Sequence, residues 1–349
     1  MVAEFSIKQF GMLLKRNHIR GCIGPILCLI ALGLPAAGQK HSGVSSDKRP
    51  PAAIWEDPGD ISAKDLFAGP GGEKDRPQFP FKFLKEDKHG NNSKIDVEDS
   101  HGEKWRAKLG IEAQPETVAS RLLWAVGFFA NENYFYPELT VENLPAHLHR
   151  GQGHVISPGH LEGVRLQRQR KDKKKKSAEW NWQHNRFSGT RELNGLRVMM
   201  AVIGNWDLKD ENNAIVDKGK QVQWLVTDVG TAFGSQGMHI KEGASKNNLK
   251  AYQGDRFIKK VTPEYVDFNL PQRPPLIFLF VLPTFVHQLC MRSVGNHVPR
   301  QDAKWVGSLL AQLSDRQIQD AFRAGGYSPD KAAAYSKAVQ NRIAQLNSL

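Results

Sequence analysis

The stretch over 202–216, VIGNWDLKDENNAIV, restricts the fold most strongly, because it concentrates charge and amides between two apolar segments. Before it, apolar residues at helical spacing predict a helix over 190–203 with one buried face. After it, the run QVQWLVT predicts a buried strand over 222–227. A solvated turn needs only one or two polar residues. The stretch is therefore either an elaborate turn or a site where two buried elements end.

Other polar residues also lie at the ends of predicted buried elements. From position 79 the sequence predicts three short antiparallel strands and then a helix; Lys108 closes the last strand and Glu116 opens the helix. Asp207 follows the helix over 190–203, Asn212 comes five residues later, and Asp228 ends the next strand. Phosphoryl transfer uses such a set: a lysine, a glutamate, two aspartates and an asparagine.

Each residue type in this set suits one part of that chemistry. A lysine holds nucleotide phosphates, and a glutamate fixes the lysine. One aspartate orients or deprotonates the acceptor, while an asparagine and a second aspartate bind the metal. Mg²⁺ prefers oxygen ligands and takes few from the protein. The set therefore predicts binding of ATP or another nucleoside triphosphate together with Mg²⁺ or Mn²⁺.

Two segments resemble a known family. IGNWDLKDEN resembles the catalytic loop of HipA-type kinases, I-G-N-x-D-x-H-x-x-N, and is similar to the loop of phosphatidylinositol kinases. KLGIEAQPETVASRLLWAVG resembles the lysine strand and following helix of the same group. The resemblance covers roughly residues 79 to 230. There are two departures: Lys209 stands where the family has histidine, and HGNNSK replaces a G-x-G-x-x-G loop.

The resemblance implies site roles. Asp207 would be the catalytic aspartate, Asn212 and Asp228 would hold metal, and Lys108 with Glu116 would form the ion pair on the phosphate side. It implies a nucleotide-dependent phosphotransferase whose acceptor stays open among protein hydroxyls, lipids and small molecules.

The resemblance also implies a fold class, α+β, with the two lobes of a protein kinase. The expected N-lobe, a small antiparallel sheet plus a helix, covers 79–145. An irregular basic insertion is expected over 146–189, and a mostly helical C-lobe over 190–349.

Plainer interpretations remain open. Lys108 and Glu116 fit an ordinary surface ion pair, Asp207 and Asn212 fit a capped turn, and Asp228 fits a turn at the end of a strand. A degenerate kinase fold, or a cell-envelope binding module without catalysis, is the alternative function. Nucleotide binding by the protein distinguishes these classes.

The first 38 residues predict a secretory signal peptide. Basic residues precede an apolar run over 21–37 that ends in small residues. The same run could stay uncleaved as a membrane anchor. Residues 39–78 are rich in Gly, Pro, Ser and charge and predict a disordered tether. The expected location is exported, either periplasmic or extracellular.

The charge balance is basic, with 48 Lys and Arg against 36 Asp and Glu and a net charge of +12. Part of the excess lies in the run from Lys171 to Lys176, which is a solvated loop or a contact with an anionic surface. Its surroundings lack the spacing of a nucleic-acid-binding module, so nucleic acid is not an expected partner.

Overall fold

The structure of the chain is a computed structural model that describes residues 50–89, 92–169, 178–235, 246–270, 291 and 293–349. Within these ranges it contains twelve strands and six α-helices. In chain order, the strands are β1 (Ala52–Ala53), β2 (Phe81–Asp87), β3 (Lys94–Glu98), β4 (Lys104–Leu109), β5 (Asn133–Glu142), β6 (Val155–Ser157), β7 (His160–Arg168), β8 (Asn213–Asp217), β9 (Val222–Val226), β10 (Ile258–Val261), β11 (Tyr265–Phe268) and β12 (Val298–Pro299). The helices are α1 (Ala113–Ala125), α2 (Arg191–Ile203), α3 (Leu249–Gly254), α4 (Arg300–Leu310), α5 (Asp315–Ala324) and α6 (Pro329–Asn347).

Five strands close into a barrel in the order β4-β3-β2-β5-β7, because β4 pairs with both β3 and β7. Alternate residues of β4 fill its interior: Trp105, Ala107 and Leu109 belong to one buried cluster. Lys108 therefore projects from the opposite face of the strand, where it is nevertheless only 1% exposed. The barrel thus presents this lysine on its outer wall.

The closed barrel contradicts the α+β two-lobed kinase-like fold expected from the sequence. Taken alone, the structure does not show a kinase-like fold, because strand β7 falls within the segment expected to be an irregular insertion, 146–189, and joins β4 to β5. Gly163, at φ 61°, interrupts the alternation of apolar residues along β7, and this interruption concealed the strand. The expected helical C-lobe also contains strands, in the sheets β1-β9-β8 and β10-β11-β12.

The segment 50–78 differs from the expected tether. Strand β1 pairs in parallel with β9, and Ile54, Ile61 and Leu66 are buried in the main hydrophobic cluster. The side chain of Gln317 on α5 donates to the carbonyl oxygen of Ile61 at 2.9 Å. A few well-spaced apolar anchors therefore order a segment whose composition is otherwise polar.

Helix α2 agrees with the expectation from its apolar spacing. The hydroxyl of Thr190 accepts from the backbone N–H of Leu193 and caps the start. Gly204 ends the helix in the left-handed conformation, with φ 67°. This abrupt end leads directly into the polar stretch.

Some predictions fall on residues outside the described ranges. They are the signal peptide over 1–38, the first part of the tether and the run from Lys171 to Lys176. Within the described ranges, no helix is long and apolar enough to cross a membrane.

Candidate functional site

Lys108 is the centre of the candidate site. Its Nζ atom lies 2.6 Å from Glu112 Oε2, 3.0 Å from Glu116 Oε2 and 3.0 Å from Asp228 Oδ1. Glu116 and Asp228 are two of the three partners, so the structure brings together three of the four residues that the sequence predicted on the phosphate and metal side. Asp228 comes from a segment 120 residues further along the chain. A long-range contact of this kind requires the native fold.

A row of cations crosses the outer face of the barrel at this point. Lys94 on β3 and Arg165 on β7 are the cross-strand neighbours of Lys108 on β4. Directly opposed like charges repel, so such a row needs anions beside it. Arg165 has such an anion beside it, since its Nη2 atom donates to Glu116 Oε1 at 2.8 Å.

Lys94 has no such partner: no hydrogen bond or ion pair to it is found among the residues with described positions, and its side chain is only partly buried. Burial and the neighbouring Lys108 ammonium lower the pKa of Lys94 below its usual value, although Asp228 partly opposes this. Lys94 is therefore the cation of the row for which no ion pair is found among the described residues. Lys94 is the last residue of HGNNSK, the stretch that stands where the family has its G-x-G-x-x-G loop.

Glu112 is a second residue that sequence reasoning missed. Its Oε1 atom accepts from Lys246 Nζ at 2.5 Å, and its Oε2 atom accepts from Asn92 Nδ2 at 2.7 Å. Burial disfavours its ionised form, but Lys108 outweighs burial and lowers the pKa of Glu112. Its position four residues after Lys108 was the available signal, although β4 ends between the two residues.

The charges of the cluster stabilise one another. Burial opposes the charged form of Lys108, but Glu116, Asp228 and Glu112 raise its pKa above the usual range. Burial likewise opposes ionisation of Asp228, and Lys108 outweighs burial and lowers the pKa of that carboxyl to about 2. The lysine is therefore charged and the aspartate ionised at neutral pH.

Gly230 lets the Asp228 segment approach the lysine. A Cβ atom at Gly230 would lie 2.8 Å from the Cβ of Glu112 and 3.2 Å from Nζ of Lys108. Glycine two residues after Asp228 thus has a steric basis, since only a residue without a side chain leaves this space free.

Asp207 lies in the loop after α2. Trp206 beside it is buried, at 4% exposure. Lys209 Nζ lies 3.0 Å from Asp207 Oδ1, so Lys209 offsets the charge of this aspartate. The lysine thus occupies the position of the family's histidine and contacts the candidate catalytic residue. Oδ1 is enclosed, and despite its closeness to Nζ it has no hydrogen bond of acceptable geometry.

Asn212 links this loop to the Asp228 segment. Its side-chain amide donates to the backbone carbonyl oxygen of Asp207 at 2.7 Å. The backbone carbonyl oxygen of Asn212 accepts from the backbone N–H of Thr227, the residue before Asp228, at 2.8 Å. No hydrogen bond joins the Asp207 carboxylate to Lys108, Glu116 or Asp228 in the part of the chain that is described. The structure thus brings the two halves of the predicted site into contact through Asn212.

The oxygen donors suit a magnesium or manganese ion. Lys108 takes Oδ1 of Asp228, and the other carboxylate oxygen has no hydrogen-bond partner within the described ranges. The side chain of Asp228 as a whole is 34% exposed. The side-chain oxygen of Asn212 is a second donor of the hard type that Mg²⁺ prefers. The described residues contain no group of three His, Cys, Asp or Glu side chains placed to hold a metal ion.

No protein-family model matches this chain, and no curated protein matches it.

Proposed function

We propose that this chain binds a nucleoside triphosphate with Mg²⁺ or Mn²⁺ and transfers its terminal phosphate to a hydroxyl acceptor. The observation that supports it is the position of Lys108, whose Nζ atom lies 3.0 Å from both Glu116 and Asp228. A lysine held between a helix carboxylate and a carboxylate with a free oxygen is arranged for phosphate beside a metal. This proposal rests on the site and not on the kinase-like fold, which the barrel contradicts.

The cation row supplies the phosphate-binding part. Lys108 is held by Glu116, and Arg165 holds the other oxygen of the same glutamate. Lys94 contributes an ammonium that faces the same side of the barrel as Lys108. Asn212 and Asp228 would hold the metal, which when bound neutralises charge on the phosphates.

Asp207 supplies the acid–base part. The acceptor oxygen attacks the terminal phosphorus, the bond from that phosphorus to the bridging oxygen breaks, and the nucleoside diphosphate leaves. The proton of the acceptor hydroxyl passes to a carboxylate oxygen of Asp207. Oδ1 is enclosed, so Oδ2, which accepts from Lys209 Nζ at 3.3 Å, is the oxygen that would take this proton. Lys209 at 3.0 Å keeps positive charge beside the carboxylate.

One observation favours the second candidate, binding without transfer. The three N–H groups of the Lys108 ammonium face three carboxylates, so in this arrangement no donor of Lys108 is left for phosphate. A protein with this arrangement could serve as a degenerate module whose cluster is structural. Export through residues 1–38 and an anionic partner at Lys171–Lys176 stay predictions in either case.

The test uses the full chain, with Asp207→Asn as the variant and Glu211→Gln in the same loop as the control. Calorimetry measures binding of ATP and GTP with Mg²⁺, with Mn²⁺ and with chelator. Release of nucleoside diphosphate and phosphate incorporation measure transfer. We expect metal-dependent binding in all three proteins and a loss of transfer of about 10²–10⁴-fold in Asp207→Asn alone.

The other outcomes separate the candidates. Equal transfer by the wild type and Asp207→Asn would remove Asp207 from the mechanism. Metal-dependent binding without transfer in the wild type would favour the binding module. Absence of nucleotide binding under every condition would refute the proposal as a whole.

A further inference from the structure

Arg121 is a buried charge for which the described residues provide no hydrogen-bonded partner. It lies on α1, five residues after Glu116, and is only 1% exposed. Its Nε and Nη1 atoms are enclosed and have no hydrogen-bond acceptor, and the described residues include no carboxylate in ion-pair contact with it. Removing a charge from water without a partner is unfavourable. Something outside the described protein atoms is therefore expected to balance this guanidinium.

Arg121 lines a cavity of about 180 Å³. Two further arginines, Arg76 and Arg323, line the same cavity, and Glu73 is the one carboxylate in its lining. Glu73 pairs with Arg76 and Asp320 pairs with Arg323, so Arg121 is the cation of the lining without an ion pair among the described residues. The volume of the cavity is several times the roughly 30 Å³ that a water molecule occupies, so it accommodates a small polyatomic anion.

Each of the two outer arginines has its own acid partner. Glu73 accepts two hydrogen bonds from Arg76, each 3.0 Å long. Asp320 pairs with Arg323 at 2.6 Å. Arg121 lies against the ring of Tyr134, whose centroid is 5.4 Å from the guanidinium carbon, and the charges of Glu132 and Asp65 act on it from beyond ion-pair distance. Burial lowers the pKa of Arg121, and Tyr134 and the more distant Glu132 oppose this only in part.

The guanidinium of Arg121 is also held in place. A Cβ atom at Gly69 would lie 1.7 Å from Nη1, so the arginine fills the space that the missing side chain leaves. Gly69 has φ 83°, a conformation that favours glycine for a second reason. The group is thus fixed beside the cavity before any ligand arrives, and this fixation lowers the entropic cost of binding.

We propose that Arg76, Arg121 and Arg323 form a binding site for a phosphate group, carried by free phosphate or by a small phosphate ester. A guanidinium presents its N–H donors in a planar fork that matches phosphate oxygens, and hydrogen bonds between charged groups are the strong ones. The site is separate from the Lys108 cluster and does not depend on the proposed phosphotransfer. Helix α1 carries residues of both, Glu116 on one and Arg121 on the other.

The test measures phosphate binding by the full chain. Inorganic phosphate and phenyl phosphate are titrated separately by calorimetry, with sodium chloride at matched ionic strength. The variants are Arg121→Met, Arg76→Met and Arg323→Met, and the control is Arg316→Met, an arginine on α5 that is 89% exposed. We expect each of the three variants to weaken binding by roughly 10- to 100-fold, and the control to leave it unchanged. Tighter binding of phenyl phosphate than of inorganic phosphate would identify an ester as the ligand.

Arg76 and Arg323 lie nearer the surface than Arg121, so their variants keep the test valid if Arg121→Met does not fold. Wild-type affinity in all three variants would overturn the proposal. Phosphate binding that disappears in Lys94→Met and survives in Arg121→Met would place the anion at the Lys108 cluster and would also overturn it.

Discussion

The Nζ atom of Lys108 lies 2.6 Å from Oε2 of Glu112, closer than the 3.0 Å that separates it from Glu116 and from Asp228. An ammonium group has three N–H donors, and each of these carboxylates can take one. Phosphate therefore reaches Lys108 only if one carboxylate gives way. Glu112 is the partner to which the kinase resemblance assigns no role, and Lys246 and Asn92 provide it with other contacts.

Glu112→Gln is expected to raise nucleotide affinity, by about tenfold. The change removes a negative charge that competes with phosphate for Lys108 and leaves Glu116 and Asp228 to hold the lysine. Calorimetric titration with nucleotide and Mg²⁺ measures the effect. The matched control is Glu162→Gln, an exposed glutamate on β7. Weaker binding by Glu112→Gln than by the control would show that Glu112 supports the ligand.

Lys94→Met is expected to weaken nucleotide binding by about tenfold, because Lys94 is the cation of the row without an ion pair. Its melting temperature should stay the same or rise, since the change removes repulsion with Lys108 and breaks no ion pair. Lys82→Met, at an exposed position on β2, is the control. Unchanged nucleotide affinity in Lys94→Met, with intact binding in the control, would remove Lys94 from the site.

Gly230→Ala is expected to lower the free energy of unfolding by about 1–3 kcal/mol, because the added methyl group would lie 2.8 Å from Glu112 Cβ. Gly254→Ala, at the end of α3, is the control, since a Cβ atom there meets nothing within 4 Å. Urea unfolding of both variants measures the difference. Similar stability for the two would mean that the Asp228 segment moves away from Lys108 without cost.

Asp228 predicts a loss of stability in acid. The carboxyl has a pKa of about 2 in the folded chain, against 3.8 for an ordinary aspartate, because Lys108 together with Arg165 and Lys94 outweighs burial. Between these pH values the unfolded chain binds the proton and the folded chain does not, so acid favours unfolding. The contribution is fully present above about pH 4 and is lost as the pH falls towards about 2.

Asp228→Asn tests this assignment. Urea unfolding at a series of pH values should show a shallower fall of the free energy of unfolding below pH about 4 in the variant than in the wild type. Parallel curves would mean that Asp228 does not carry the acid sensitivity. They would point instead to Glu112, whose pKa is also lowered.

The local parts of the site were predictable from the sequence. The apolar spacing before Gly204 indicated a helix, and the position of Lys108 at the end of a strand indicated its approach to Glu116. These inferences use residues close together in the chain, or a motif with one known geometry. Their outcome depends little on how distant segments pack.

The distant parts were not predictable in the same way. Arg165 lies in a basic stretch whose alternation is interrupted by Gly163, so neither β7 nor its pairing with β4 was expected. Lys94 and Arg165 became members of the site only through cross-strand register, which a single sequence does not specify. The segment 50–78 shows the same limit, because three buried residues order it against helices near the other end of the chain.

The closure of β4 against β7 has a consequence for how the chain can be divided. This closure places Lys94, Lys108 and Arg165 side by side, so the outer face of the barrel carries three adjacent positive charges. Part of the neutralising charge comes from Asp228, beyond the last barrel strand. A fragment that ends after β7 would keep the repulsion and lose this carboxylate. The five strands therefore close into a barrel by themselves, but the charge balance on the outer face of that barrel depends on a residue from the other half of the chain.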